Sequence, residues 1–279
     1  MSAAVAGSVD EALVSATDAL RAAGVDTPRL DAELLLAEAI GSGRAALLAA
    51  PEAGVDAVAG RRFGELVRRR VRREPIAYLL GHQGFRRIEL AVDRRVLIPR
   101  PETELLVEVA LELAPDSVLD VGTGSGAVAL AIADELGGVE VVASDTSLEA
   151  LAVARGNAVR LGLSERVRLI AADGQVGRAF DLVVANLPYV SEGEWGGLAS
   201  EIVRYEPREA LVAGPSGLEA IEGLLAELAT GALETEAVAL EVGVGQAVTV
   251  AELVRRAGFD RVETRCDLAG IERVVIGRQ

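Results

Sequence analysis

From Ser117 onward, short apolar runs alternate with longer amphipathic segments, and this alternation constrains the fold more than any other feature. Alternating strands and helices predict an α/β fold with a parallel sheet covered by helices on both faces. Only residues 267–272 separate the last two strands, too few for a parallel crossover, so we expect an antiparallel final strand. The predicted strands are 117–121, 139–144, 167–171, 180–185, 237–242, 261–266 and 273–277. The predicted helices are 127–136, 148–161, 218–230 and 247–257.

The chain before this region has a different pattern. Helical periodicity and end signals predict four helices, at 8–24, 29–40, 43–49 and 55–73. Between residues 84 and 98 the apolar period changes to two, which indicates a hairpin turning at residues 93–95. Pro101 then opens a helix that runs to Leu113. We therefore predict three parts: a helical domain at 1–80, a hairpin linker at 81–98 and the α/β domain at 99–279.

The fourth helix is rich in arginine. On a helical wheel, Phe63, Val67 and Val71 form an apolar stripe and most of the arginines lie opposite. This basic face is either a solvated surface or a docking face for an acidic or RNA-associated partner. The arginines are Arg61, Arg62, Arg68, Arg69, Arg70, Arg72 and Arg73.

Composition excludes several kinds of chemistry. All 28 basic residues are arginine, which rules out a P-loop lysine and a Schiff-base lysine. Cys266 is the one cysteine and His82 the one histidine, so we predict no metal site, and we interpret His82 as a hydrogen-bond partner in the linker. The net charge of −15 argues against binding of long nucleic acid. No segment resembles a signal peptide or a membrane span, so we expect a cytoplasmic protein.

The first strand of the α/β region runs into D-V-G-T-G-S-G, residues 120–126, which indicates a cofactor site. Glycines there let the backbone turn tightly and let a ligand approach the next helix. Asp145 ends the second strand, where a carboxylate can accept both ribose hydroxyls, and Asp173 is placed to reach an adenine edge. The pattern predicts an adenosine-containing cofactor. The candidate cofactor residues are Asp120, Gly122, Thr123, Gly124, Gly126, Asp145, Asp173 and Asn186.

The same loop is also compatible with a second kind of cofactor, a dinucleotide. Gly122, Gly124 and Ala127 also satisfy the dinucleotide-binding pattern, so an NAD-dependent enzyme is an alternative. The expected antiparallel final strand disfavours the NAD-dependent enzyme. The segment that follows the fourth strand also disfavours it, because that segment contains no good proton acceptor.

That segment is N-L-P-Y, residues 186–189. The Asn186 side-chain oxygen and the Leu187 backbone carbonyl can both accept hydrogen bonds from one planar NH2 group, and the Tyr189 ring can stack on its plane. Pro188 keeps Leu187 extended. The four residues predict a catalytic site that holds an exocyclic amine or a carboxamide, with an ordinary turn after a strand as the alternative.

Several segments resemble the class I S-adenosylmethionine methyltransferases, and within them the release-factor glutamine N5-methyltransferases. The resemblance covers nearly the whole chain, and chain order, with the helical domain first, is also similar. N-L-P-Y departs from the family's usual N-P-P-Y, because Leu187 stands where the first proline does. The segments that carry the resemblance are IPRPETE, DVGTGSGAVALAIA, SDTSLEALAVARGNA, YEPREAL, GPSGL, EVGVGQ and DLAGIERVV.

The resemblance implies a Rossmann-like seven-stranded methyltransferase sheet and S-adenosylmethionine as cofactor. It also implies methyl transfer to the amide nitrogen of the glutamine in the Gly-Gly-Gln loop of peptide-chain release factors, with the helical domain docking the substrate protein. N-L-P-Y is similar, too, to the motif of ribosomal RNA adenine dimethyltransferases. Two alternatives therefore stay open: an adenine-N6 methyltransferase acting on nucleic acid, and a non-catalytic relative that binds cofactor and partner.

Overall fold

The computed structural model describes residues 5–171 and 179–279, which form two units. Of these residues, 5–81 and 199–205 belong to the first unit, and 82–171, 179–198 and 206–279 belong to the second. The helices are α1 Val9–Ala22, α2 Pro28–Ile40, α3 Arg44–Ala49, α4 Ala57–Val71, α5 Ile76–Leu80, α6 Glu104–Leu113, α7 Ala127–Glu135, α8 Leu148–Leu161, α9 Ser200–Tyr205, α10 Glu219–Thr230 and α11 Ala247–Arg256. The strands are β1 Val5–Ser8, β2 Gly54–Asp56, β3 His82–Phe85, β4 Ile88–Ala91, β5 Ser117–Val121, β6 Glu140–Asp145, β7 Val167–Ala171, β8 Ala179–Ala185, β9 Val190–Ser191, β10 Val212–Gly214, β11 Glu234–Glu241, β12 Arg261–Cys266 and β13 Glu272–Arg278.

Helices α1, α2 and α4 enclose the core of the first unit. Ser8 and Glu11 form a reciprocal capping box at the start of α1, with Glu11 N donating to Ser8 Oγ at 3.2 Å and Ser8 N donating to Glu11 Oε2 at 3.0 Å. These contacts satisfy two backbone donors that a helix start otherwise leaves free. Leu13, Leu35 and Phe63 are buried between the helices, and each such side chain contributes about 1.5–3 kcal/mol.

The arginines of α4 do not all lie on a solvated face. Arg70 is buried: its Nε donates to Asp31 Oδ2 at 2.7 Å, and its Nη1 lies 3.1 Å from Glu201 Oε1 on α9. Val71, placed in the apolar stripe by the helical wheel, is 38% exposed because α4 ends at this residue. The exposed arginines of the helix and its C-terminal end are Arg61, Arg62, Arg68 and Arg72.

The second unit is built on a seven-stranded sheet with the order β12-β13-β11-β8-β5-β6-β7. Strands β11, β8, β5, β6 and β7 pair in parallel, whereas β13 is antiparallel to both of its neighbours. The prediction of a doubly covered sheet with an antiparallel final strand is therefore confirmed. Strand order reverses between β5 and β8, and ligands bind at such a point in open α/β sheets.

The predicted hairpin is present, but its predicted turn is wrong. Strands β3 and β4 pair with Phe85 opposite Ile88, so the hairpin turns at residues 86–87. Residues 93–96 form a separate turn after β4, in which Val96 N donates to Asp93 O at 3.1 Å. Arg86 takes a left-handed conformation with φ 53°, and its guanidinium donates to Glu135 Oε1 at 2.8 Å. Because Glu135 lies far along the chain, the local apolar pattern carries no sign of this turn.

None of the helices in the described part of the chain combines the length and apolar character needed to cross a bilayer.

Candidate functional site

A cavity of about 400 Å³ lies at the carboxyl ends of β5, β6 and β8. Its volume is in the range of small-molecule binding sites. Six predicted site residues line it: Gly122, Gly124, Asp145, Asn186, Leu187 and Pro188. Four others do not: Asp120, Thr123, Gly126 and Tyr189. Asp173, predicted to reach an adenine edge, lies outside the described residues.

The glycines of the loop after β5 have different roles. Gly122 and Gly124 are left-handed, with φ 74° and 56°, a conformation that favours glycine. A Cβ on Gly122 would lie 3.1 Å from Leu187 Cδ2, so the loop and the N-L-P-Y segment touch. Gly126 is left-handed as well, with φ 85°, and a Cβ there would lie 2.8 Å from Leu130 Cδ1 and 3.3 Å from Ala154 Cβ. This glycine therefore serves the turn into α7 and does not line the cavity.

Asp120 supports the loop from beneath. Its Oδ2 accepts hydrogen bonds from the Thr123 hydroxyl at 2.6 Å and from Ala129 N at 3.2 Å. Burial raises the pKa of Asp120 to about 7, although those two hydrogen bonds lower it, and the nearby charge of Asp145 raises it further. Asp120 and Thr123 therefore hold the shape of the loop and do not face the cavity.

Asp145 is the carboxylate on the cavity wall. Its Oδ2 accepts from Gly124 N at 2.8 Å and its Oδ1 accepts from Ser147 N at 2.8 Å, which fixes both the glycine loop and the start of α8. Each carboxylate oxygen keeps further acceptor capacity, so the group can also accept hydroxyl hydrogens. The Asp145 carboxylate, as an acceptor for ribose hydroxyls, and the left-handed glycines fit a nucleoside ligand.

Asn186 follows β8 directly and is fixed through one end of its amide. Its Nδ2 donates to Thr103 Oγ1 at 3.0 Å, in the short helical turn that precedes α6. This contact leaves the Asn186 carbonyl oxygen as the part of the side chain available to an acceptor NH2 group.

Tyr189 is anchored on the neighbouring strand. Its hydroxyl donates to Glu241 Oε1 at 3.5 Å, at the end of β11. Burial raises the pKa of Tyr189 to about 12, and the charge of Glu241 acts in the same direction. The phenol is therefore protonated at neutral pH and acts as a donor to Glu241.

Glu241 is only 2% exposed, and burial raises its pKa to about 7. Glu102 raises this pKa further, whereas the nearby Thr103 hydroxyl and the charge of Arg273 lower it. Its Oε2 is buried and has no hydrogen-bond partner among the described residues. This buried carboxyl group, with one oxygen unpartnered in the described part of the chain, lies directly beside the N-L-P-Y segment.

Two sequence families match the chain. The PrmC N-terminal domain matches residues 11–81, and the methyltransferase small domain matches residues 101–214. The release factor glutamine methyltransferase of Caulobacter vibrioides is 39% identical over 274 residues, with 96% of this chain and 95% of the relative covered. Its namesake from Bordetella pertussis is 44% identical over 259 residues, covering 88% and 93%. The chain belongs to the release factor glutamine methyltransferases.

This membership identifies an enzyme that transfers methyl groups, with S-adenosylmethionine as the cofactor. It therefore excludes the NAD-dependent alternative, and adenine methylation is not favoured. A solved structure, the hMettl16 catalytic domain in complex with MAT2A 3'UTR hairpin 6, has a TM-score of 0.55 at 16% identity, covering 68% of this chain and 75% of that one. At that identity the likeness concerns the fold alone, and it agrees with the class I methyltransferase sheet.

Sequence reasoning missed three residues that hold the N-L-P-Y segment of this methyltransferase. Thr103 and Glu241 contact its side chains, and Gln246 Nε2 donates to Tyr189 O at 2.9 Å. Gln246 Oε1 also accepts from Gly243 N at 2.8 Å. These residues lie in IPRPETE and EVGVGQ, two of the segments that carry the family resemblance, but the sequence alone assigned them no role.

Another support joins two of the motifs. Glu206 of YEPREAL is buried, and its carboxylate accepts from Ile98 N at 3.1 Å and from Arg100 Nη2 at 2.5 Å. A charge-assisted contact of this kind is stronger than a neutral one. It fixes the start of IPRPETE, the segment that brings Thr103 to Asn186.

Proposed function

We propose that the enzyme methylates the side-chain amide nitrogen, N5, of the glutamine in the Gly-Gly-Gln motif of peptide-chain release factors. Family membership supports the substrate class, since the relatives are named release factor glutamine methyltransferases. The observation that carries the proposal is the contact of Asn186 with Thr103, which leaves the Asn186 carbonyl oxygen free to accept from an amide NH2 group. Since release factors act in translation, we place the reaction in the cytoplasm.

The acceptor half of the site is assigned to residues 186–189. An amide nitrogen is a poor nucleophile because its lone pair is delocalised. Hydrogen bonds from its two N–H groups to Asn186 Oδ1 and to the Leu187 carbonyl draw electron density toward nitrogen, and they stabilise the positive charge that nitrogen gains in the transition state. Pro188 keeps the Leu187 carbonyl extended, and the Tyr189 ring holds the amide plane.

The cofactor half is assigned to the glycine loop and the end of β6. Gly122 and Gly124 let the ligand approach the backbone, Asp145 accepts ribose hydroxyls, and Asp120, Thr123 and Gly126 hold the loop behind them. S-adenosylmethionine, when bound, supplies an electrophilic methyl group on a sulfonium. Asn186 lines the same cavity, so it borders both halves. We also retain Asp173 as a candidate for the adenine edge.

Docking of the release factor is assigned to the first unit, as part of the domain division at 1–80, 81–98 and 99–279. An open groove of about 1010 Å³ lies on that unit, with Ala12, Ala16 and Phe63 among its apolar lining residues. Arg61 and Arg68 border it as exposed cations. The exposed Arg62 also lines the groove, against one exposed acid, Glu65, so the rim is cationic on balance and suits a protein surface that carries acidic side chains.

The test is mass spectrometry of release factor after incubation with purified enzyme and S-adenosylmethionine. A mass gain of one methyl group on the Gly-Gly-Gln peptide, localised to glutamine by fragmentation, is the expected result. A release factor with that glutamine replaced by alanine is the matched control and should gain nothing. Methyl incorporation into adenine of RNA, with none into release factor, would contradict the proposal.

A further inference from the structure

Asn157 lies on α8 and is 0% exposed, which is unusual for an asparagine. Its Oδ1 accepts from Ala91 N at 2.7 Å. Its Nδ2 donates to Ala91 O at 3.0 Å and to Ser125 O at 2.9 Å. The oxygen and both hydrogens of the amide are therefore all used, and among side chains of this length only a carboxamide offers two hydrogens together with an acceptor oxygen.

The contact with Ser125 fixes one peptide group of the glycine loop. The Ser125 carbonyl belongs to the same peptide group as Gly126 N, and that nitrogen donates to Thr123 O at 2.9 Å. Both polar atoms of this peptide group are thus paired. The residue before it, Gly124, lines the cavity, and its own N–H donates to Asp145. The loop is therefore held at two successive residues, and the second of these contacts comes from α8.

The contacts with Ala91 fix another part of the cavity lining. Ala91 ends β4, and both its N–H and its carbonyl bond to the Asn157 amide, as they would to a neighbouring strand. The chain then continues to Arg95, Val96 and Leu97, which line the cavity. The hairpin, predicted from the sequence as a linker, therefore also leads into the cavity wall.

We propose that Asn157 is a positioning residue of the cofactor site, whose amide holds the glycine loop and the segment after β4 in the arrangement that S-adenosylmethionine requires. Asn157 does not line the cavity and acts through Ser125 and Ala91. A loop that is ordered before the ligand arrives lowers the cost of binding. The inference concerns the cofactor, which follows from family membership, and it does not depend on the identity of the methyl acceptor.

The experiment is calorimetric titration of Asn157→Asp with S-adenosylhomocysteine. Aspartate has nearly the shape of asparagine and keeps the acceptor for Ala91 N, but its carboxylate has no hydrogen to donate to Ser125 O. We expect the dissociation constant to rise at least about tenfold, because the Ser125 carbonyl loses its partner and binding must then also order the loop. The KM for S-adenosylmethionine should rise in step, whereas kcat at saturation and the KM for release factor should stay within about threefold of wild type.

Arg160→Ala is the matched control. Arg160 lies on the same helix, and its Nη2 donates to Glu89 O at 2.6 Å, so this contact supports β4 and not the glycine loop. Its removal should leave the affinity for S-adenosylhomocysteine unchanged. Val254→Ala is the control for stability alone, because Val254 is buried on α11 and does not line the cavity. That variant should have a lower melting temperature and wild-type affinity.

Asn157→Ala decides the matter if the aspartate variant does not fold, since it introduces no buried charge and should weaken binding in the same way. Wild-type affinity in a folded Asn157 variant whose melting temperature falls as in Val254→Ala would overturn the proposal, because Asn157 would then only stabilise the fold. An equal loss of affinity in Arg160→Ala would overturn it as well, since support of β4 alone would account for the effect. The titration needs no methyl acceptor, so failure of the proposed function would leave its result intact.

Discussion

Asn186 donates its amide hydrogen to the Thr103 hydroxyl across 3.0 Å, which ties the end of β8 to the turn that opens α6. The two residues are 83 positions apart in sequence. The side chain assigned to the substrate is therefore held by a segment from another part of the fold.

Asn186→Ala should abolish most turnover while leaving cofactor binding intact. Loss of one preorganised transition-state contact typically costs ~10²–10³ in kcat. Methylation of release factor gives the rate, and calorimetric titration with S-adenosylhomocysteine gives the affinity. Ser191→Ala, at the half-buried end of β9 just beyond the segment, is the control and should keep its rate. A near-normal rate in Asn186→Ala would remove Asn186 from the mechanism.

Leu187→Pro restores the residue usual in the family and keeps the backbone carbonyl. We expect kcat within a few-fold of wild type, because that carbonyl is the group that accepts the hydrogen bond assigned to residue 187. Leu187→Ala is the companion variant: it loses the Leu187 contact with Gly122 without gaining the rigidity of proline. Inactivity of the proline variant, with an active alanine variant, would show that proline is incompatible with the backbone here.

Asp145→Ala should weaken binding of S-adenosylhomocysteine roughly ten- to a hundredfold, since hydrogen bonds to a charged group are worth ~1.5–3 kcal/mol. The carboxylate also holds Gly124 N and Ser147 N, so part of the loss will come from a looser loop. Glu149→Ala, an exposed acid in the first turn of α8, is the matched control for charge. Equal affinities for wild type and Asp145→Ala would take Asp145 out of the cofactor site.

Reversal of Arg61, Arg68 and Arg72 to glutamate should raise KM for whole release factor and flatten its salt dependence, since oriented surface charge mainly affects encounter. Cofactor affinity should not change. Arg255 and Arg256, exposed at the end of α11 in the second unit, provide a control reversal. Should both reversals leave the kinetics unaltered, the arginine face is a solvated surface.

Asp120→Asn should make the second unit less sensitive to pH. The folded-state pKa of Asp120, about 7, lies above the ordinary value of about 3.9, so its stabilising contribution is complete below about pH 4 and is lost as the pH rises through about 7. Trp195 is the one tryptophan of the chain and lies in the second unit, so its fluorescence reports urea unfolding there. Wild type should lose more stability than the variant between about pH 5 and about pH 8. Parallel losses would mean that Asp120 is not the titrating group.

The sequence predicted the fold well wherever local signals and packing agree. Strand 117–121 and helix 148–161 have the predicted bounds, because their apolar patterns are local and the helix is flanked by the N-cap Ser147 and by Gly162. The hairpin turn was misplaced since Arg86 is held in a left-handed conformation by acids distant in sequence. The cavity residues were identifiable from motifs, but the contacts of Asn186 with Thr103 and of Tyr189 with Glu241 are tertiary contacts that no local pattern records.

The register in which β11 pairs with β8 determines which side chains lie beside each other at the site. Because side chains alternate between the faces of a strand, a slip of one residue between these strands would turn Glu241 to the opposite face and leave Asn186 beside an apolar neighbour. A single-residue insertion in the middle of β11 could therefore preserve every residue of the site and still disconnect it. The acceptor site therefore depends on the pairing register of β11 with β8 as much as on its side chains.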